Sequence, residues 1–172
     1  TVPVEEAAST ARVSPGIDQA AGRQLLSSLI EHVKSVFPLK DVPDMWESTP
    51  IFLKATAGMR ALPEALRNEA MADVRNIRRT SGFEFTTETQ ARVISGEEEG
   101  VFGFITVNYN LHKLLPGHLH NLELLGALDL GGASTQITFK PSDPDILANM
   151  FNLQLGKQVN ENLYTHSHMY FG

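Results

Sequence analysis

Apolar residues recur at helical spacing in three stretches of the chain. The first runs over residues 15–38 and the second over residues 63–82, where a proline fits the first helical position and Ser-Gly fits the end. The third begins at Glu97. In this third helix the spacing predicts a buried face that contains Phe102, Ile105 and Tyr109.

Shorter apolar or alternating runs predict strands at residues 51–55, 92–94, 124–128, 136–139 and 151–155. The run 124–128 is apolar throughout, which predicts a buried strand ending at Asp129, and Gly156-Lys157 fits a turn into one more strand. Strands that alternate with helices, together with hairpins, indicate an α/β fold.

The segment 129–136 reads Asp-Leu-Gly-Gly-Ala-Ser-Thr-Gln between two of these strands, which makes it the tip of a hairpin. Gly131 and Gly132 lack Cβ atoms, so a phosphate can come close to the backbone of this loop. The backbone amides of Gly131, Gly132, Ala133 and Ser134 can then contact the phosphate oxygens. The alternative is that two adjacent glycines only form a tight turn between strands.

Polar side chains on both sides of these glycines favour the phosphate loop over the plain turn. Asp129 can hold a hydrated cation, and Ser134 and Gln136 can hydrogen-bond a water molecule. Each of these groups has a use in phosphoryl transfer.

Three consecutive glutamates open the third helix. Ser95 and Glu98 fit a capping box, and acidic residues in a first helical turn interact favourably with the helix dipole. An acidic helix start therefore has a purely structural explanation, against which any catalytic role of Glu99 has to be weighed.

Three segments in this order resemble conserved regions of the apyrase, or nucleoside triphosphate diphosphohydrolase, family. They are Ala-Thr-Ala-Gly-Met-Arg at 55–60, the stretch 96–104, and Ala-Leu-Asp-Leu-Gly-Gly-Ala-Ser-Thr-Gln at 127–136, with a weaker match at 164–167. The resemblance extends from about residue 14 to the last residue, and three ordered motifs are more specific than one glycine pattern.

The resemblance implies a role for individual residues. Glu99 matches the general base, and Ser134 and Gln136 match the residues that hold the attacking water. Asp129 matches the acid that reaches the metal through water, and Thr56 matches a hydroxyl near the water and the terminal phosphate. The loop 131–134 matches one of two phosphate loops.

The same resemblance implies an actin-like, ribonuclease-H-like fold of two lobes with the nucleotide between them. We expect residues 1–95 to belong to the N-terminal lobe and residues 96–172 to the second lobe. The family's first and fifth conserved regions have no match in the chain, so we expect the fold to be incomplete at both ends and the 172 residues alone to be inactive.

The activity implied is hydrolysis of nucleoside tri- or diphosphates with release of inorganic phosphate, dependent on Ca2+ or Mg2+. The location implied is extracellular, at the cell surface, or in the lumen of the secretory pathway. Two alternatives stay open at this point, an exopolyphosphatase-like hydrolase of another phosphoanhydride and a nucleotide-binding module without turnover.

Charge and composition exclude other classes. A formal net charge of −6 argues against nucleic acid as a partner, and no apolar run approaches the roughly 18 to 20 residues that cross a bilayer. The pairs His118/His120 and His166/His168 have a spacing that metals can use, but without a third ligand nearby they fit loop or surface histidines better.

Overall fold

The computed structural model describes residues 16–36, 44–114, 123–142, 148–157 and 159–172. The chain forms two compact units, of which unit 1 is Thr1–Val93 and unit 2 is Ile94–Gly172. Helices and strands occur in both units, so the prediction of a mixed α/β fold is confirmed. The actin-like arrangement and the assignment of the lobes stay predictions.

Unit 1 is mainly helical. Its elements are α1 (Ala20–Val36), α2 (Asp44–Glu47), β1 (Leu53–Ala55), α3 (Ala57–Arg60), α4 (Glu64–Arg79), a 3-10 turn (Glu88–Gln90) and β2 (Ala91–Val93). Strands β1 and β2 are parallel, and α1 packs against α4. Helix α4 starts directly after Pro63, and the chain leaves it through Gly82, whose φ of 84° suits glycine.

The core of unit 1 joins both long helices to the two strands. Its buried apolar residues are Leu26, Ile30, Ala55, Met59, Ala70, Met71, Val74, Phe83 and Ala91. This core fixes the short connection between β1 and α3, where Thr56 lies.

Unit 2 is one helix on one antiparallel sheet. Its elements are α5 (Gly96–Asn110), β3 (Ala127–Leu130), β4 (Ser134–Phe139), β5 (Met150–Leu155) and β6 (Val159–Met169). The strand order is β3-β4-β6-β5, and α5 contacts β3, β4 and β6. Val101, Phe104, Leu153 and Leu163 are the buried apolar residues between helix and sheet.

The buried face of α5 differs from the predicted one. Phe102 and Tyr109 are 44% and 58% exposed, so their predicted burial is wrong. The residues that face the sheet include Gly100, Phe104 and Asn108, of which only Phe104 carries a large apolar side chain. Ile105, the third residue of the predicted face, is partly buried and does pack against the core of unit 2, so apolar spacing locates the buried side of the helix only in part.

Strand β3 also differs from its prediction as a buried strand. Leu128 and Leu130 are each 79% exposed, because β3 lies at the edge of the sheet and α5 packs against the other sheet face. The alternate position, Asp129, lies on the face that α5 covers, since it pairs with the buried Gln136. Among the described residues no helix is long and apolar enough to cross a membrane.

Candidate active site

Glu99, Ser134 and Gln136 meet in unit 2, although α5 carries the first and β4 carries the other two. Nε2 of Gln136 donates to Ser134 Oγ at 2.7 Å and to Glu99 Oε2 at 3.2 Å. Ser134 and Gln136 are each only 1% exposed. The structure thus brings together three of the residues that the sequence singled out.

Strand alternation explains why two of these residues share one face. Ser134, Gln136 and Thr138 alternate along β4 and are buried against α5, whereas the residues between them are only partly buried. In the sheet, Gln136 pairs with Asp129 on β3 and with Ser167 on β6. Paired residues of antiparallel strands point to the same face, so Asp129, Gln136 and Ser167 form a row on the α5 side of the sheet, with Asp129 exposed at its edge.

Ser167 belongs to this cluster, and sequence reasoning did not select it as a site residue. Its Oγ accepts a hydrogen bond from Gln136 Nε2 at 3.1 Å. The weak motif match at 164–167 was the available signal, but only the pairing of β4 with β6 places Ser167 beside Gln136.

Helix α5 approaches the sheet through two glycines. A Cβ on Gly96 would overlap the side chain of Ser167, and a Cβ on Gly100 would overlap the hydroxyl groups of Thr138 and Thr165. We call these five residues the glycine contact. The hydroxyl oxygens of Thr138 and Thr165 lie 2.8 Å apart, and Thr165 Oγ1 donates to the backbone carbonyl of Glu97, the first of the three glutamates of α5, at 3.3 Å.

The first turn of α5 separates the roles of two neighbouring glutamates. The Glu98 amide donates to Ser95 Oγ at 3.0 Å, and the Ser95 amide donates to Glu98 Oε2 at 3.1 Å, so the predicted capping box is confirmed. Glu98 therefore caps its own helix. Glu99, the next residue, reaches the amide of Gln136 instead.

One polar atom of the cluster lacks a partner. Oε1 of Gln136 is buried and accepts no hydrogen bond from the described residues. A buried acceptor without a donor costs about 1–3 kcal/mol, so its occurrence calls for an explanation. Gln136 also lines a cleft of about 240 Å³ together with Gly100 and Asp129.

The predicted phosphate loop is the tip of a hairpin, because Leu130 pairs with Thr135. The Gly131 amide donates to the Ser134 carbonyl at 3.0 Å, so this amide is used within the hairpin. Neither Gly131 nor Gly132 has a positive φ, and a Cβ on Gly132 would meet nothing within 4 Å. Local sterics thus give no reason for a glycine at position 132.

Residues at the end of β6 lie against this loop. The Tyr170 amide donates to the Ala133 carbonyl at 2.8 Å, and the Thr135 hydroxyl donates to the Phe171 carbonyl. Gly172 lies beside the backbone of Gly131, Gly132 and Ala133.

Thr56 lies in unit 1, between β1 and α3. Its carbonyl accepts the amides of Met59 and Arg60 at 3.1 Å, but its side chain makes no capping hydrogen bond. It lines a cleft of about 340 Å³ with Lys54 and Gly58, among others. A threonine that follows a strand often caps the next helix with its hydroxyl. Thr56 does not cap α3 in this way.

The oxygen donors of unit 2 suit a hard cation that keeps most of its water. Within the described parts of the chain, no three His, Cys, Asp or Glu side chains converge as they do in an all-protein metal site. Asp129 borders the cleft beside Gln136. Mg2+ is commonly held in this way, by one or two carboxylates, several waters and substrate phosphates.

The histidine pairs do not form a metal site where they are described. The rings of His166 and His168 lie edge to face with centroids 4.4 Å apart, and no third metal-ligating side chain joins them among the residues that the structure covers. His118 and His120 lie outside the described residues.

Known proteins are similar to this chain over most of its length. Ectonucleoside triphosphate diphosphohydrolase 5 of Bos taurus is 37% identical over 99% of the chain and 40% of its own length. Ectonucleoside triphosphate diphosphohydrolase 1 of Bos taurus is 40% identical over 86% of the chain and 30% of its own length. Ectonucleoside triphosphate diphosphohydrolase 8 of Gallus gallus is 37% identical over 90% of the chain and 32% of its own length.

The chain thus spans about two fifths or less of the length of these relatives. The family model for nucleoside phosphatases matches residues 3–172, which is almost every residue of the chain. The chain therefore belongs to the GDA1/CD39 (nucleoside phosphatase) family.

Proposed function

We propose that the protein containing this chain hydrolyses nucleoside tri- and diphosphates in a two-lobed, actin-like fold and releases inorganic phosphate by direct attack of water. The observation that carries the proposal is the buried Gln136 amide, which touches Glu99 and Ser134 and keeps an unused acceptor, Oε1. A water molecule at this position would donate one proton to Oε1 and the other to Glu99.

In the proposed reaction Glu99 is the general base. As the water oxygen forms a bond to the terminal phosphorus, Glu99 accepts the water proton, and the bond from phosphorus to the bridging oxygen breaks. The electron pair of that bond leaves with the shortened nucleotide. Ser134 and Gln136 hold the water in line, which is the positioning that phosphoryl transfer requires.

The loop 131–134 would bind the phosphate oxygens. Because neither a positive φ nor local packing requires Gly132, close approach of a ligand explains that glycine best. We assign the amides of Gly132 and Ala133 to the phosphate, with Gly131 and Ser134 shaping the loop through their own hydrogen bond. For Thr56, in unit 1, the role of a phosphate-binding hydroxyl rests on the family resemblance alone.

Asp129 would hold Ca2+ or Mg2+ through a water molecule. The cation supplies positive charge that neutralises the phosphate oxygens. Asp129→Asn in the full-length protein should therefore raise the metal concentration for half-maximal turnover about tenfold, as loss of an outer-sphere ligand commonly does. Titration of phosphate release with Mg2+ and Ca2+ measures this, and an unchanged metal requirement would remove Asp129 from the metal site.

The names of the relatives support the substrate class. Each is called an ectonucleoside triphosphate diphosphohydrolase, which describes nucleotide hydrolysis and an outward-facing location for those proteins. We extend both to this protein as proposals, with an extracellular, cell-surface or secretory-lumen location. The acidic net charge agrees with the expectation that nucleic acid is not a partner.

Ser134→Ala and Gln136→Ala should each lower kcat about tenfold, because each displaces the same water. The double variant should lose less than the product of the two single losses, since a water already displaced cannot be displaced again. Steady-state kinetics on the three variants measure this coupling. Losses that multiply fully would assign the two residues to separate steps.

The proposed function is tested by phosphate release from the full-length protein with nucleoside triphosphate, nucleoside diphosphate and polyphosphate, beside a Glu99→Gln control. Release from both nucleotides is expected. Preference for polyphosphate would favour an exopolyphosphatase, and nucleotide binding without release would favour a binding module. The 172-residue chain alone should show no turnover near the full-length rate, because one of the two implied phosphate loops is missing.

A further inference from the structure

We propose that Ser167 is a positioning residue that fixes the side-chain amide of Gln136, so that Oε1 remains available to the attacking water. This inference rests on the proposed function, because it assigns Ser167 a role in the same reaction. Ser167 accepts a hydrogen bond from Gln136 Nε2 and would act on the water only through that amide.

Nε2 of Gln136 has more hydrogen-bond acceptors around it than it has hydrogens to donate. A primary amide carries two N–H bonds, whereas Ser134 Oγ, Ser167 Oγ and Glu99 Oε2 lie 2.7, 3.1 and 3.2 Å from Nε2. These acceptors on three different elements hold Nε2 in place and thereby leave Oε1 as the atom of the amide that has no partner among the residues that the structure describes. Ser167 and Glu99 share the N–H groups of this amide, so the hydrogen bond from Nε2 to the Glu99 carboxylate is weaker than it would be without Ser167.

Ser167 is itself held in place from two directions. On β6 it lies directly opposite Gln136, so the register of β4 with β6 fixes its backbone beside that residue. From the helix side, Gly96 lies so close that a Cβ there would overlap both Cβ and Oγ of Ser167. Its hydroxyl therefore links the first turn of α5 to the amide on β4.

A competing explanation is that Ser167 is only a small residue that makes room for Gly96. The two explanations differ in what the hydroxyl does. Alanine is as small as serine and leaves the same room for Gly96. If Ser167 only made this room, Ser167→Ala would change turnover neither in the parent nor in a Gln136 variant.

The first experiment compares Ser167→Ala with the parent in the full-length protein. We expect kcat to fall about tenfold with KM for the nucleotide nearly unchanged, because the amide orients the water and does not bind the nucleotide. Ser95→Ala is the matched control, since it also removes one serine hydroxyl next to Gly96, in this case from the residue that caps α5. It should lower the melting temperature while kcat stays within about twofold of the parent.

The second experiment repeats Ser167→Ala in a Gln136→Ala background, where the amide that it positions is absent. There the substitution should leave kcat unchanged within about twofold. An equal loss in both backgrounds would overturn the proposal, as would full activity of Ser167→Ala in the parent background.

A structural measurement separates this inference from the proposed function. If Glu99→Gln retains phosphate release, the proposed reaction fails, but the position of the Gln136 amide can still be read from crystal structures. In Ser167→Ala the N–H that Ser167 shared should turn to Glu99 Oε2, so that Nε2 moves closer to the carboxylate and Oε1 shifts from its position in the parent. An unmoved amide in that variant would overturn the positioning role whatever the outcome for Glu99.

Discussion

Glu99→Gln in the full-length protein is expected to lower kcat by about a hundredfold or more, with KM nearly unchanged. The amide that replaces the carboxylate fills the same space and still accepts from Gln136 Nε2, but it cannot take a proton from water. Because the proposed role of Glu99 is to take a proton from the water, its replacement should leave nucleotide binding unaffected. Phosphate release measured over a range of nucleotide concentrations separates the two constants.

Glu98→Gln is the matched control, because it removes the same charge one residue earlier on α5. Glutamine can still close the capping box with Ser95, so only the interaction of the charge with the helix dipole is lost, worth about 0.3–1 kcal/mol. Its kcat should remain within a few-fold of the parent. If the Glu99 variant behaves like this control, Glu99 is not the base.

Gly100→Ala should lower kcat/KM about a hundredfold, the effect of a displacement near 1 Å at a site that works by positioning. Its Cβ would overlap the hydroxyls of Thr138 and Thr165, and would lie 3.3 Å from Cβ of Gln136. The helix must move outward to make room. That movement separates Glu99, the adjacent residue, from the Gln136 amide.

Gly103→Ala provides the stability control on the same helix. Alanine has the higher helix propensity at both positions, by about 0.8–1.0 kcal/mol, but a Cβ on Gly103 meets nothing within 4 Å. Gly103→Ala should therefore be as stable as the parent or more stable, whereas Gly100→Ala should lose about 1–3 kcal/mol to overpacking. Urea unfolding measures both, and equal stabilities would show that the glycine contact tolerates a methyl group.

Local signals in the sequence were sufficient for part of this site. The capping box of Ser95 and Glu98 follows from residue types three positions apart, and alternation places Ser134 and Gln136 on one face of a strand. The association of Glu99 with Gln136 came from family resemblance, because they are 37 residues apart and on different elements.

The remainder depends on contacts that no local pattern encodes. Ser167 reaches Gln136 only through the register of β4 with β6, which joins residues 31 positions apart. The exposure of Phe102 has a similar cause, because glycines and an asparagine turn toward the sheet in its place. Hydrophobic periodicity assumes that the buried side of a helix is the apolar side, and at this contact the assumption fails.

The glycine contact has a thermodynamic consequence for the proposed catalytic pair. Because Gly96 and Gly100 let α5 sit directly on the hydroxyl groups of the sheet, the distance between Glu99 and Gln136 is set when unit 2 folds. The entropy of arranging these two groups is then lost on folding and not in each catalytic cycle. Heating should consequently leave this pair intact until unit 2 unfolds, so that thermal inactivation coincides with the cooperative melting of that unit.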